Sequence, residues 1–404
     1  MSRFDQCPSR EGTAAVKLDA RQAVFGRADV VPAWVADMDF AAPEAVTEAL
    51  VARARHPVYG YTLFPDSLYE AMIDWFERRH GLRLDREAIL MAPGVVPSLH
   101  AACLAFAGSG EGVIVQPPVY PPFFSSVTVT GRRVIENPLR CIDGDDGPDY
   151  AMDLDHLEAC AARPEARLLL LCSPHNPVGR VWRRDELDAV LAIARRHGLV
   201  VFSDDIHADL VYPGEAPHTL LASLATEEDA LVTALAPSKT FNLPGLGLSA
   251  LVVPDARRRR ALQAEFERLH LPQCNPFSMV GFEAGYRHGG PWLDELMVYL
   301  RGNRDAAVSY VREHLPGIRT RAPEGTYLLW LDCRELAAWL DDGKTSRDRA
   351  LRRFFVQQAG VGLNPGASFG AAGDGFMRLN LGTSRATLMT VLDQIRDALQ
   401  ALRG

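Results

Sequence analysis

Several things are missing from this sequence, and each absence removes a class of function. No uninterrupted apolar run is long enough to span a bilayer, so no membrane partner is expected. After Met1-Ser2-Arg3-Phe4-Asp5 no apolar segment follows the arginine, so no signal peptide is expected either. Seven cysteines, Cys7, Cys103, Cys141, Cys160, Cys172, Cys274 and Cys333, are scattered without a CxxC pair. An odd count without metal-ligand spacing points to reduced thiols in a cytoplasmic protein. Excess positive charge is lacking too: the net charge is −8, which argues against nucleic acid as a partner. The cluster Arg257-Arg258-Arg259-Arg260 reads as one solvated helix face. Asp37 and Asp39 flank Met38, but no histidine or third carboxylate lies close, so no metal site is expected there. No internal repeat or low-complexity linker is present, and Asp341-Asp342-Gly343-Lys344 reads as an exposed loop.

What remains is an ordinary soluble composition, 48% hydrophobic and 23% charged, over 404 residues. That length allows two or three domains and buries a large core without staples. Residues 1–42 look irregular, punctuated by Gly12, Gly26 and Pro32. Helices are expected from Pro43 to Arg55, Leu68 to Arg79, Pro97 to Ala107 and Glu186 to His197. Strands are expected from Gly112 to Gln116, Leu168 to Cys172, Leu199 to Phe202 and Ala230 to Leu235. The repeated alternation from 94 to 253 argues an α/β class with a parallel sheet covered on both faces. Helices then follow at Arg257 to His270, Pro276 to His288 and Pro291 to Leu315. The last stretch alternates differently: strand Gly325 to Asp332, helix Arg347 to Ala359, strand Phe376 to Leu381 and helix Ala386 to Arg403.

The chemistry is concentrated in loops at the ends of the expected strands. Lys239 lies in Ala236-Pro237-Ser238-Lys239-Thr240-Phe241-Asn242, just past an apolar strand. A lysine amine is a nucleophile when desolvation lowers its pKa, and its usual partner is a carbonyl cofactor. Read by itself, Lys239 fits a solvated loop lysine better. Gly94-Val95-Val96 feeds a helix N-terminus, whose free N–H groups and dipole suit an anion. Pro117-Pro118-Val119-Tyr120-Pro121-Pro122 holds Tyr120 in a rigid loop. Cys172-Ser173-Pro174-His175-Asn176-Pro177-Val178-Gly179 makes a turn at a strand's carboxyl end, where ligand sites of α/β sheets lie. Ser203-Asp204-Asp205-Ile206-His207 ends the next strand, and Arg378 sits inside Phe376 to Gly382. A planar guanidinium there suits a carboxylate.

Taken in this order, these stretches resemble the fold-type I pyridoxal-phosphate enzymes of the class I/II aminotransferase superfamily. Trp34-Val35-Ala36-Asp37-Met38-Asp39-Phe40 and Tyr59-Gly60-Tyr61 resemble more narrowly the MalY/PatB branch of cystathionine β-lyases. The resemblance implies a large domain over 46–288 with a mostly parallel, seven-stranded type of sheet. It also implies a smaller C-terminal α/β domain over 289–404, with an N-terminal segment, 1–45, packed on it. Lys239 would carry pyridoxal 5'-phosphate and move the substrate's Cα proton. Asp204 would meet the pyridine nitrogen, Tyr120 would stack on the ring, and Asn176 would meet the phenolic oxygen. His207 could contact that same region or be structural. Gly94, Val95, Val96 and Ser238 would seat the phosphate. Tyr61, with Tyr59 as the alternative, would reach it from the partner of a homodimer with shared active sites. Ala36, Asn176 and Arg378 would bind a small amino-acid substrate. Two common phosphate contacts are missing: Ala236 stands where relatives carry Ser or Thr, and Gly247 where they carry Arg. The expected reaction is β-elimination from an S-substituted cysteine such as cystathionine. Transamination with the same residues is the alternative, and a pyridoxal-phosphate-binding regulatory protein is a third reading.

Overall fold

The computed structural model describes residues 2–271 and 275–403. Met1 and Cys274, both used in the readings above, lie outside the described residues.

The central element is a seven-stranded mixed sheet. Its strands are β1 (Ile89–Ala92), β2 (Gly112–Val115), β3 (Arg133–Glu136), β4 (Ala166–Cys172), β5 (Val200–Asp204), β6 (Leu231–Leu235) and β7 (Ser249–Val252). The spatial order is β1-β7-β6-β5-β4-β2-β3. All run parallel except β7, which is antiparallel to both its neighbours. The inner strands are mostly apolar because helices cover both faces, with Arg167, Ser203, Asp204, Thr233 and Ser249 as their polar positions. Leu168, Leu169, Leu170 and Leu171 of β4 are all buried. The crossover helix Arg184–His197 buries Leu187, Val190, Leu191 and Ala194, one stripe at helical spacing. Gly198, at φ 67°, ends it in the left-handed conformation and turns the chain into β5.

A second, three-stranded sheet is antiparallel: β8 (Leu328–Asp332), β9 (Asn364–Pro365) and β10 (Phe376–Asn380), in the order β8-β10-β9. Phe376, Arg378 and Asn380 share one face of the central strand β10, because alternate side chains of a strand point the same way. The long helices Pro276–His288 and Gly290–His314 connect the two sheets in the chain. Near the N-terminus, Val31–Pro32 pairs in parallel with Val361–Gly362.

Three details differ from the sequence reading. The strand expected from Gly325 begins at Leu328, because Thr326 takes φ 66° and caps the strand end with its hydroxyl, which accepts from Leu328 N–H. The helix expected over Arg347 to Ala359 is α-helical only for Arg347–Arg353, then widens into a π turn over Phe354–Gln358. That turn buries the consecutive bulky residues Phe354, Phe355 and Val356. The irregular N-terminal stretch contains short helices at Arg3–Asp5, Val16–Asp19 and Arg21–Phe25. All six described cysteines are free. No helix among the described residues is long and apolar enough to cross a membrane.

Trp330 pins β8 to its surroundings. Its ring stacks on Phe376 at 5.2 Å, meets Phe369 edge-on at 5.4 Å, and its N–H donates to the Tyr150 hydroxyl at 3.0 Å. Trp330→Ala should cost about 3–5 kcal/mol of stability, read as a shift in the urea unfolding midpoint. A shift worth less than about 1 kcal/mol would show that the site collapses around the truncation.

Candidate active site

The carboxyl ends of the parallel strands β1, β4, β5 and β6 open on one side of the sheet, and a cavity of about 340 Å³ lies there. Each strand contributes the residues that follow it. Past β1 come Gly94, Val95 and Val96; past β4, Asn176; from β5, Asp204 and His207; past β6, Ala236, Ser238 and Lys239. Tyr120 and Ala36 complete the wall. Ten residues selected from sequence thus line a single cavity: Ala36, Gly94, Val95, Val96, Tyr120, Asn176, Asp204, His207, Ser238 and Lys239.

Lys239 is the third residue of the four-residue helix Pro237–Thr240. Its Nζ donates to the backbone carbonyl of Ala36 at 2.5 Å, and the Tyr327 hydroxyl donates to that same oxygen at 2.9 Å. Burial pushes the amine down to about 8, and the nearby Arg378 adds to the effect. Asp204 accepts one hydrogen bond, from Ile206 N–H at 3.3 Å. No cation lies within ion-pair distance of it among the described residues. Burial drives its carboxyl up to about 7. His207 is pushed down to about 3, first by burial and then by Lys239 and Arg378. Its ring packs edge-on to Tyr327 at 6.2 Å, and its buried Nδ1 has no partner.

Arg378 stands behind Asn176 rather than in the cavity wall. It donates to Asn176 Oδ1 at 3.0 Å, Asn364 Oδ1 at 2.7 Å and the Trp34 carbonyl at 3.0 Å. None of these acceptors carries charge. Burial lowers its pKa to about 10, and its buried Nε has no partner. Asn176 in turn is fixed through its own N–H to Cys172 Sγ at 3.4 Å.

Gly94 takes φ 149°, a region glycine enters freely, and leads into the helix Val95–Phe106. No side chain caps that helix, Pro97 has no N–H and Ser98 N–H donates to the Gly94 carbonyl at 3.2 Å, so the N–H groups left to offer are those of Val95 and Val96, which line the cavity. Among the described residues that line the cavity with Ala236, Ser238 and Gly247, Lys239 is the one lysine and there is no arginine. Tyr61 lies outside the cavity of its own chain, with its side chain fully in solvent. Tyr59 is engaged: its hydroxyl donates to the Ala54 carbonyl at 2.7 Å and its ring tilts against Phe277 at 5.9 Å.

Several residues at the site escaped the sequence reading. Asn242, at φ 57°, accepts from Met38 N–H and donates to the carbonyls of Met38 and Phe40, each at 2.9 Å. Asn380 donates to the carbonyls of Val35 and Asp37. Together they hold the 34–40 loop against Lys239. The carboxylates of Asp37 and Asp39 pair with Arg10 and Lys17. Asp205, beside Asp204, points the other way and pairs with His218 at 2.8 Å. A usable signal was the scarcity of lysine: of 43 basic residues only Lys17, Lys239 and Lys344 are lysines.

The donor set fits pyridoxal 5'-phosphate. A lysine of lowered pKa suits its carbonyl, an unpaired buried carboxylate suits a ring N–H, and an uncapped helix N-terminus suits a phosphate.

Comparison with known proteins agrees. "Cystathionine beta-lyase PatB" of Bacillus subtilis (strain 168) is 42% identical over 397 residues, 98% of this chain and 99% of that protein. "Protein MalY" of Escherichia coli (strain K12) is 33% identical across the full length of both. The crystal structure of cystalysin from Treponema denticola, which contains a pyridoxal 5'-phosphate cofactor, superposes with a TM-score of 0.92 at 31% identity, covering 99% of each chain. Residues 34–395 match the family described as aminotransferase class I and II, and this chain belongs to that family.

Proposed function

We propose that this chain is a pyridoxal-phosphate-dependent carbon–sulfur β-lyase that cleaves an S-substituted L-cysteine into pyruvate, ammonia and a thiol. One observation carries the reading: Lys239, with its lowered pKa, and Asp204, without an ion-pair partner, line the same cavity, with Arg378, held by neutral acceptors alone, behind it. The cystathionine β-lyase named among its relatives gives the direction of the chemistry.

Pyridoxal 5'-phosphate, when bound, supplies a carbonyl that joins the substrate amine and a ring that stores the electron pair left at Cα. The chain's own residues do the rest. Lys239 would anchor the cofactor and, with its Nζ free again when substrate is bound, would take the Cα proton there. Its lowered pKa makes the neutral, proton-accepting form accessible near neutrality. Asp204 holds a proton at the ring nitrogen, which offsets the burial that otherwise raises its own pKa. Arg378 and Asn176 orient the substrate carboxylate. Because Arg378 occupies the Asn176 oxygen, the amide NH₂ is left to donate to a ligand. Tyr120 would stack on the ring and His207 would lie at its rim. Gly94, Val95, Val96 and Ser238 would seat the phosphate. With the Cα proton removed, the Cβ–S bond would break, the sulfur leaving with the bonding pair as a thiolate that takes up a proton; the released enamine would tautomerise to its imine, which water would hydrolyse to pyruvate and ammonia.

The chain is read as a large unit over 46–288 and a small one over 289–404 that carries the 1–45 segment. Its free thiols support a reducing, cytoplasmic setting. The active form is a two-fold homodimer. Val58, Tyr59, Tyr61 and Leu63 are exposed, Leu63 at 88%, in one apolar run. A second copy covering that run would bring Tyr61 to the partner's phosphate.

Three tests follow from these assignments. Given L-cystathionine and no keto acid, the holoenzyme should release pyruvate through many turnovers. Lys239→Ala should release none and lose the borohydride-reducible absorbance. Sustained turnover only after a keto acid is added would establish an aminotransferase instead, and cofactor binding without either reaction a regulatory protein. Asp204→Ala should fold normally and lose on the order of a hundredfold in turnover rate; near-native turnover would mean that another group serves the ring nitrogen. Light scattering at assay concentration should give twice the chain mass, and an active monomer would remove Tyr61 from the site.

A further inference from the structure

Asp209 is a deeply buried carboxylate that the reaction above does not use. One oxygen accepts from Trp75 Nε1 at 3.0 Å and from His80 Nε2 at 2.9 Å; the other accepts from the Thr240 hydroxyl at 2.9 Å. Burial pushes its pKa up, but the His80 contact, followed by those of Thr240 and Trp75, outweighs burial and holds it below the ordinary range. Asp209 lies outside the cavity wall. Well-packed apolar residues are often as stabilising as a buried ion pair at such a place, so stability alone gives no reason for the charge.

The three donors explain what the carboxylate joins. Trp75 and His80 belong to the helix Asp66–His80, whereas Thr240 is the last residue of the short helix that carries Lys239. Trp75 also packs edge-on against Phe241 at 5.3 Å, so the same helix grips the chain on both residues that follow the lysine. A four-residue helix has almost no rigidity of its own. The hydrogen bond from Lys239 to a side chain or backbone group runs to the Ala36 carbonyl, a contact the lysine must give up when it binds a carbonyl carbon. What then aims Nζ is the backbone beneath it. Thr240 is the residue of that backbone tied to a fixed charge, and it is itself fully buried.

We propose that Asp209 is a positioning residue for Lys239: by fixing the Thr240 hydroxyl it locks the lysine-bearing turn and thereby aims Nζ at the cofactor carbonyl and the substrate Cα proton. The proposal rests on the reading of this cavity as the pyridoxal-phosphate site. The groups that face Asp209 are His80 and Trp75 on one helix, Thr240 on another, and Tyr286, whose phenol feels its charge. His218, paired with Asp205, stands edge-on to His80 at 6.3 Å and completes the surroundings.

The test uses the holoenzyme and two substitutions at Thr240. Thr240→Val keeps the shape and removes the hydroxyl; Thr240→Ser restores it. Three quantities are read: the pH midpoint of the lysine–cofactor absorbance, the kcat and KM for L-cystathionine, and the melting temperature. In the Val variant the midpoint should move by about half a unit. Its kcat should fall about tenfold with KM changed less than about twofold, since aim matters to proton transfer more than to binding. The Ser variant should return both midpoint and kcat to the wild-type values. Asp209→Asn, which removes the charge at constant shape, should change both in the same direction as Val and serves if the Val variant does not fold. A Val or Asn variant with the wild-type midpoint and kcat overturns the proposal. So does a Ser variant that loses as much as Val, since the loss would then follow side-chain volume. A wild-type protein with no borohydride-reducible absorbance would overturn the cofactor reading before any variant is compared.

Discussion

The site depends on charges buried without neutralising partners. Lys239, Asp204 and Arg378 are each held in low-dielectric surroundings, and each has its pKa moved toward the neutral form. For Lys239 the change from 10.5 to about 8 corresponds to roughly 3 kcal/mol of unfavourable desolvation and repulsion. Such an arrangement persists only because the rest of the fold holds it. On the proposed reading, ligands would supply what is missing: a carbonyl for the amine, a ring N–H for the aspartate, a carboxylate for the arginine. Binding and neutralisation would then be one event, and the stored cost would be released where the chemistry occurs.

The loop over 34–40 shows how that tension is contained. Its Ala36 carbonyl is the acceptor that the Lys239 amine meets, and Tyr327 binds the same oxygen. The loop is fastened from three directions: Asn242 from the segment just past the lysine, Asn380 and Arg378 from β10, and Arg10 and Lys17 from the N-terminal stretch. Lys17 is almost fully buried, and its pairing with Asp39 at 2.9 Å is what makes that tolerable. The two aspartates that invited a metal reading thus act as anchors for a backbone turn.

How much of this the sequence carried depends on how local the cause is. The strand ends and their motifs were legible because glycine, proline and a short apolar run act within a few residues. Gly94 before a helix, Asn176 in its proline turn and Lys239 after a strand fell where expected. The antiparallel direction of β7 was not legible, since nothing in Ser249–Val252 encodes which way its neighbours run. Nor were the partners of Asp205 and Asp209. His218 lies 13 residues from Asp205 and His80 lies 129 from Asp209, and only the folded chain brings each pair together. The π turn at Phe354–Gln358 was hidden for another reason: the apolar residues there fit helical spacing, and crowding in the core decides the winding.

On the proposed reading a local absence shapes how the phosphate would be held. Among the described residues lining the cavity with Ala236 and Gly247 there is no arginine, and the one lysine, Lys239, would be taken by the cofactor carbonyl, so attraction for a dianion would come from N–H groups and the helix dipole. A helix N-terminus offers about half an elementary charge, less than one arginine supplies. On the proposed reading the deficit is met in two ways. One is the covalent hold of Lys239, which needs no charge at the far end of the cofactor. The other would be a hydroxyl from outside the chain, the role proposed for Tyr61, whose side chain is extended into solvent from an exposed apolar run. Cofactor retention would then depend on assembly more steeply than in a chain with an arginine at the position of Gly247, because the neighbouring copy would replace a contact that such a chain could make for itself.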